Sequence, residues 1–127
     1  MQIRESAEMY LETILVLSKR LGTVRAIDIA NELSYTKPSV SVAMKNLREN
    51  NYATVDEDGG IALTPQGQAV AEAVYKRHVL LSDWLKALGV SEETAVTDAC
   101  RIEHIISAES VEALRRHVEG YKKKEDR

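Results

Sequence analysis

Residues 26–63 read AIDIANELSYTKPSVSVAMKNLRENNYATVDEDGGIAL, and a change of hydrophobic period inside that stretch decides the fold. From Val24 to Leu33 the apolar residues Ile27, Ile29, Ala30 and Leu33 recur at helical spacing, and Ser34 to Lys37 supply a turn. Thr36 is placed to cap the next helix, which carries Pro38 in its first turn, where a missing N–H is harmless. That helix runs through Val40, Ala43, Met44 and Leu47 to Asn50. Beyond it the period falls to two: Tyr52, Thr54 and Val55, then Asp58-Gly59-Gly60, then Ile61 and Leu63, the pattern of a short β-hairpin. Helix, turn, helix and hairpin in that order predict a winged helix-turn-helix.

Upstream, Ile3, Ala7, Tyr10, Leu11, Ile14, Leu15 and Leu17 predict an amphipathic first helix that Gly22 ends. Downstream, Thr64-Pro65-Gln66-Gly67 opens a long helix through Val70, Ala73, Val74, His78, Leu81, Leu85 and Leu88, closed by Gly89. Ser91-Glu92-Glu93 opens another, expected to carry Cys100, Ile102, Glu103, Ile105 and Ile106, and Ser107 to Ser110 begin a last one through Val111, Leu114 and Val118. The expectation is a mainly α chain: a winged helix-turn-helix domain over 1–64, a helical domain over 65–121 and a flexible charged tail over 122–127, with the long helix joining the halves.

Composition agrees. A chain of 127 residues is too short for a TIM barrel or a doubly wound enzyme, while 44% hydrophobic and 29% charged residues suffice for a core. Two prolines and six glycines leave little punctuation for a many-stranded sheet. No apolar run spans a bilayer and the start lacks a basic segment followed by an apolar one, so a cytoplasmic protein without membrane association is expected. Net charge is −3, with 7 basic against 9 acidic residues before Pro65 and 10 against 11 from it onward. Binding to nucleic acid therefore needs a local basic patch and a switch, since the whole chain offers no attraction.

Two patches could carry chemistry. On the third helix Thr36, Lys37, Ser39, Ser41, Lys45 and Arg48 decorate the side away from Val40, Ala43, Met44 and Leu47, the division a DNA-reading helix needs. A merely solvated helix face has the same pattern. In Cys100-Arg101-Ile102-Glu103-His104, a thiol, a carboxylate and an imidazole fall three and four residues apart, on one helix face. A small core cysteine beside a solvated pair is the plain alternative. Met9 and Glu12 share a face of the first helix, and His78 interrupts an apolar stripe; each alone reads as core methionine or hydrogen-bonded histidine. Val96, Ile102, Ile106, Val111 and Leu114 exceed what so small a domain buries alone, which suggests a dimer.

Taken together, Glu8-Met9-Tyr10-Leu11-Glu12, Lys37-Pro38-Ser39-Val40-Ser41, Leu63-Thr64-Pro65-Gln66-Gly67, Arg77-His78 and Cys100-Arg101-Ile102-Glu103-His104 resemble the diphtheria toxin repressor family of metal-dependent transcriptional regulators. The resemblance spans nearly the whole chain, and the length resembles the two-domain manganese regulators that lack an SH3-like third domain. It implies a homodimer on double-stranded operator DNA, with divalent metal between the DNA-binding and dimerisation domains, no organic cofactor and no enzymatic activity. Iron-type members use positions that fall on Met9, Cys100, Glu103 and His104; manganese-type members use positions that fall on Glu12 and His78. This chain is a hybrid, and its sulfur donors favour Fe(II), with Mn(II) the alternative and zinc, cobalt or nickel able to substitute in vitro. An ancillary site is in doubt because Ser82 and Val96 replace its Glu and His. Thr36, Pro38 and Ser39 match base-proximal positions, whereas Val42 stands where iron-type members have Gln, so the operator should differ. Competing classes are a metal-independent winged-helix regulator sensing thiol oxidation or an organic ligand, and a small metalloenzyme, for which no catalytic motif is present.

Overall fold

Leu11, Ile14, Leu15 and Leu17 make a buried stripe along the first helix, and the other N-terminal elements are laid against it. The structure, a computed structural model, describes residues 5–125. These form six helices and one hairpin: α1 Glu5–Leu21, α2 Ala26–Leu33, α3 Lys37–Glu49, β1 Ala53–Val55, β2 Ile61–Leu63, α4 Pro65–Ala87, α5 Glu92–Ile102 and α6 Ala108–Glu125. Ile3, expected on α1, lies outside the described residues. The chain divides into two compact units after Ala73. That break falls inside α4, whose Ala71 is fully buried in the N-terminal core.

Within the N-terminal unit, α1, α2, α3 and the hairpin share one core that includes Val24, Ile29, Val40, Met44, Leu47, Ala53 and Ile61. Ser34 adopts a left-handed conformation (φ 58°) to end α2, and the Tyr35 N–H returns to the Ala30 carbonyl at 3.0 Å, which makes the α2–α3 turn tight. Thr36 caps α3 as expected, its Oγ1 accepting from Ser39 N at 3.3 Å. The wing pairs Ala53 with Leu63 and Val55 with Ile61, antiparallel, and Ile61 N also donates to the Val24 carbonyl at 2.7 Å, which ties the wing to the chain ahead of α2. At its tip Asp56 Oδ1 accepts from Asp58 N and Gly60 N, at 2.9 and 2.7 Å, and Arg25 Nη1 donates to the Asp58 carbonyl at 2.6 Å.

The step from wing to long helix is closely built. Thr64 Oγ1 donates to the Asn51 carbonyl at 2.6 Å and accepts from Gly67 N at 3.0 Å, so it both caps α4 and binds it to the end of α3. Gly67 meets the Tyr52 carbonyl so closely that a Cβ there would lie 1.9 Å from the oxygen.

In the C-terminal unit Val74, Leu81, Ala95 and Ala99 are buried. The helix expected to carry Glu103, Ile105 and Ile106 stops earlier: α5 ends at Ile102 with Glu103 as its C-cap, and Ile105 is 71% exposed. The N–H groups of Ile105 and Ile106 both return to the Ile102 carbonyl at 3.0 Å, while Ser107 Oγ accepts from Ser110 N at 3.1 Å and starts α6, so competing cap chemistry shortens α5. Residues 122–125, expected as tail, continue α6. Asp126 and Arg127 lie outside the described residues. Among the described residues no helix is long and apolar enough to cross a membrane.

Candidate metal centre and recognition helix

α4 and the C-terminal end of α5 bring together His78, Cys100 and Glu103, whose ligand atoms lie within 4.8 Å of one another. The i, i+3 spacing puts Cys100 and Glu103 on one side of α5 at its last turn. His78 Nδ1 is 2.9 Å from Glu103 Oε2 and 3.7 Å from Cys100 Sγ. Glu103 is fully buried, and among the described residues its Oε1 has no hydrogen-bond partner, with His104 Nε2 at ion-pair distance, 3.4 Å. Arg77 Nη1 donates to the Glu103 carbonyl at 3.3 Å, fixing the end of α5 from the neighbouring turn of α4. Cys100 itself is exposed, so the plain expectation of a buried core cysteine is not met.

A buried carboxylate is costly unless charge or hydrogen bonds compensate it. Here the compensation is incomplete at Oε1, and the donors around it are a nitrogen, a sulfur and carboxylate oxygens, a set that fits a divalent ion of intermediate softness. In the metal-free protein a proton fills the role. Cys100 first, then Glu103, raise the His78 imidazole from 6.5 to about 10. Because the folded value lies above the unfolded one, this contribution is fully present below about pH 6.5 and is lost as pH rises through about 10. Metal-free protein should therefore lose about 2 kcal/mol across that window in urea unfolding, the size of one hydrogen bond to a charged group, and His78→Asn should flatten the decline. An equally steep decline in the variant would contradict the assignment.

Met9 and Glu12 lie one turn apart on α1 in the N-terminal unit, both half-buried. Tyr35 Oη stands 3.9 Å from Met9 Sδ, and the Tyr35 ring tilts against Tyr10 with centroids 6.0 Å apart. Sequence reasoning passed over Tyr35 because a turn tyrosine carries no motif, and it gave Arg77 no role although Arg77-His78 stood out. Ser82 is buried and donates to the Val79 carbonyl at 3.2 Å, and Val96 is 38% exposed, so neither adds a donor for an ancillary site.

On α3 the predicted division holds. Thr36, Lys37, Pro38, Ser39, Ser41, Lys45 and Arg48 are all exposed, while Val40, Met44 and Leu47 are buried against the rest of the N-terminal unit.

Comparison with known proteins gives these features a family. Residues 2–61 match the iron dependent repressor N-terminal DNA binding domain, and residues 64–126 match the iron dependent repressor metal binding and dimerisation domain. The HTH-type transcriptional regulator MntR of Geobacillus kaustophilus (strain HTA426) is 33% identical over 122 residues, 96% of this chain and 86% of that protein. The transcriptional regulator MntR of Salmonella typhimurium is 34% identical over 111 residues, 87% of this chain and 71% of that protein. Among solved structures, the manganese regulator SloR superposes with a TM-score of 0.79 at 29% identity, covering 94% of this chain, which spans 55% of that one. The fold and the matched domains are those of a metal-dependent winged-helix regulator of transcription. The chain belongs to the iron-dependent repressor family, whose members are transcriptional regulators and not enzymes.

Proposed function

We propose that the chain is an Fe(II)-responsive repressor of metal-uptake genes that binds operator DNA as a homodimer. The observation that carries the metal reading is the cluster of His78, Cys100 and the buried Glu103, with Glu103 Oε1 lacking a hydrogen bond among the described residues. His78, Cys100, Glu103 and His104 would hold the ion, joined by Met9 and Glu12 on the strength of the family resemblance. When bound, it supplies the positive charge that compensates the Glu103 carboxylate. Arg77 keeps the Glu103 backbone in place, and His78 gives up its proton on loading. Exposed apolar residues of the C-terminal unit, Val79, Leu88, Val96 and Ile105 among them, support dimerisation.

A two-fold dimer reads half-sites about 34 Å apart, or a multiple of that. Moving the DNA-competent population from about 1% to about 99% requires a preference of about 10⁴-fold. Thr36, Pro38 and Ser39 approach bases in this reading, Ser41 assists them, and Lys37, Lys45 and Arg48 neutralise phosphates. Lys45→Ala should lower the slope of log affinity against log salt by about one. An unchanged slope in fluorescence anisotropy would remove Lys45 from the interface.

Sulfur at Cys100 and Met9 favours Fe(II), whereas the oxygen donors Glu12 and Glu103, and the similarity to a manganese regulator, favour Mn(II). Anaerobic anisotropy with genomic DNA fragments and buffered metals separates them: binding at lower free Fe(II) than Mn(II) supports the iron reading, and the reverse order makes the protein a manganese regulator. The exposure of Cys100 favours one other reading, a sensor of thiol oxidation. That reading requires peroxide to change DNA binding of metal-free wild type and not of Cys100→Ser.

A further inference from the structure

The side of α3 that faces away from the core is polar apart from Pro38 in its first turn and Val42 near its middle. Val42 is 62% exposed. It follows the buried Val40 by two residues, which places it about 200° around the helix, opposite the seam of Val40, Met44 and Leu47. Its neighbours one turn before and after are Pro38, Ser39, Lys45 and Asn46, all exposed. The hydrophobic side chain therefore sits at the centre of the outward face, flanked by the Pro38 ring and by hydroxyl, amide and ammonium groups. A valine here adds nothing to the core, and its branched Cβ slightly lowers helix propensity.

We infer that Val42 is a specificity-determining residue that reads the 5-methyl group of a thymine in the major groove. This rests on the proposal that α3 enters DNA. A valine can neither donate nor accept a hydrogen bond, so the base edges it can favour are those that present carbon, and in duplex DNA the thymine methyl is that group. Lys37, Lys45 and Arg48 on the same helix hold phosphates, which carry no sequence information of their own. Val42 thus selects thymine at one position of each half-site, by exclusion of water from two apolar surfaces and not by a hydrogen bond.

The test deletes only the methyl. Fragments bound by the protein under anaerobic conditions in buffered Fe(II), and in parallel in buffered Mn(II), are selected from random DNA, and each thymine of the resulting operator is replaced in turn by deoxyuridine. For wild type, replacement at one symmetry-related position should lower affinity about fourfold per half-site, the effect of one buried methyl-sized group. Val42→Ala should bind the thymine operator more weakly than wild type and be indifferent to deoxyuridine at that position. Wild type insensitive to every replacement, or a loss of equal size in Val42→Ala, would overturn the inference while leaving α3 as the DNA-binding element. Failure to select any fragment would overturn both.

Discussion

Cys100→Ser is expected to reduce the metal-induced gain in operator affinity by at least about 100-fold, while metal-free protein keeps its stability to within about 1 kcal/mol. The two halves of that expectation come from different facts. Cys100 is exposed and its sulfur touches His78 at 3.7 Å, so serine at this place leaves the packing of Ala95 and Ala99 alone. Yet the sulfur is one of three donors that the C-terminal unit gathers, and losing a ligand costs more than the 10- to 100-fold usual for residues that merely orient ligands. Metal titrations followed by anisotropy, beside urea unfolding of the metal-free variant, measure both. A variant with undiminished metal response would show that Cys100 is not a ligand.

The largest expected effect on stability lies elsewhere, at Gly67→Ala. A Cβ would lie 1.9 Å from the Tyr52 oxygen and 2.9 Å from its carbonyl carbon, both backbone atoms that cannot rotate away. The same oxygen accepts the Thr64 N–H at 3.1 Å, and Thr64 in turn holds Asn51 and Gly67, so displacement of the first turn of α4 breaks the connection between wing and helix. Overpacking of this kind costs about 3 kcal/mol, seen as a fall of about 10 °C in the melting temperature. Gly120→Ala is the control: that glycine lies within α6 with nothing within 4 Å of the added atom, and the substitution should stabilise by about 0.5–1 kcal/mol. Equal effects of the two substitutions would contradict the steric account.

The order of elements was legible in the sequence because each boundary carries its own chemistry: Thr36 and Thr64 as caps, Gly22 and Gly89 as stops, and a change of period at Asn50. The exposed and buried faces of α3 followed from periodicity alone. What periodicity could not show was competition. Ile105 and Ile106 fit a helical stripe, but the Ser107 cap starts a new helix and leaves Ile105 in solvent. Pro65 marks where α4 begins, and the burial of Ala71 joins the first turns of that helix to the N-terminal core, a contact that periodicity does not show. At the site, the spacing of Cys100, Glu103 and His104 was visible as a constellation, and His78 as an anomaly in an apolar stripe. The contact of His78 with Glu103 and Cys100 needed the packing of α4 on α5. Tyr35 and Arg77 act through a sulfur and a main-chain carbonyl, contacts with no signature in residue type.

In the proposed function Cys100, His78 and Glu103 bind the ion that controls DNA binding. Anaerobic titration with Co(II), which reports its ligands by absorption, tests it most directly. Wild type should show an intense near-ultraviolet thiolate-to-cobalt band that grows with operator binding and is absent in Cys100→Ser. Cobalt-dependent operator binding by wild type without that band would contradict it.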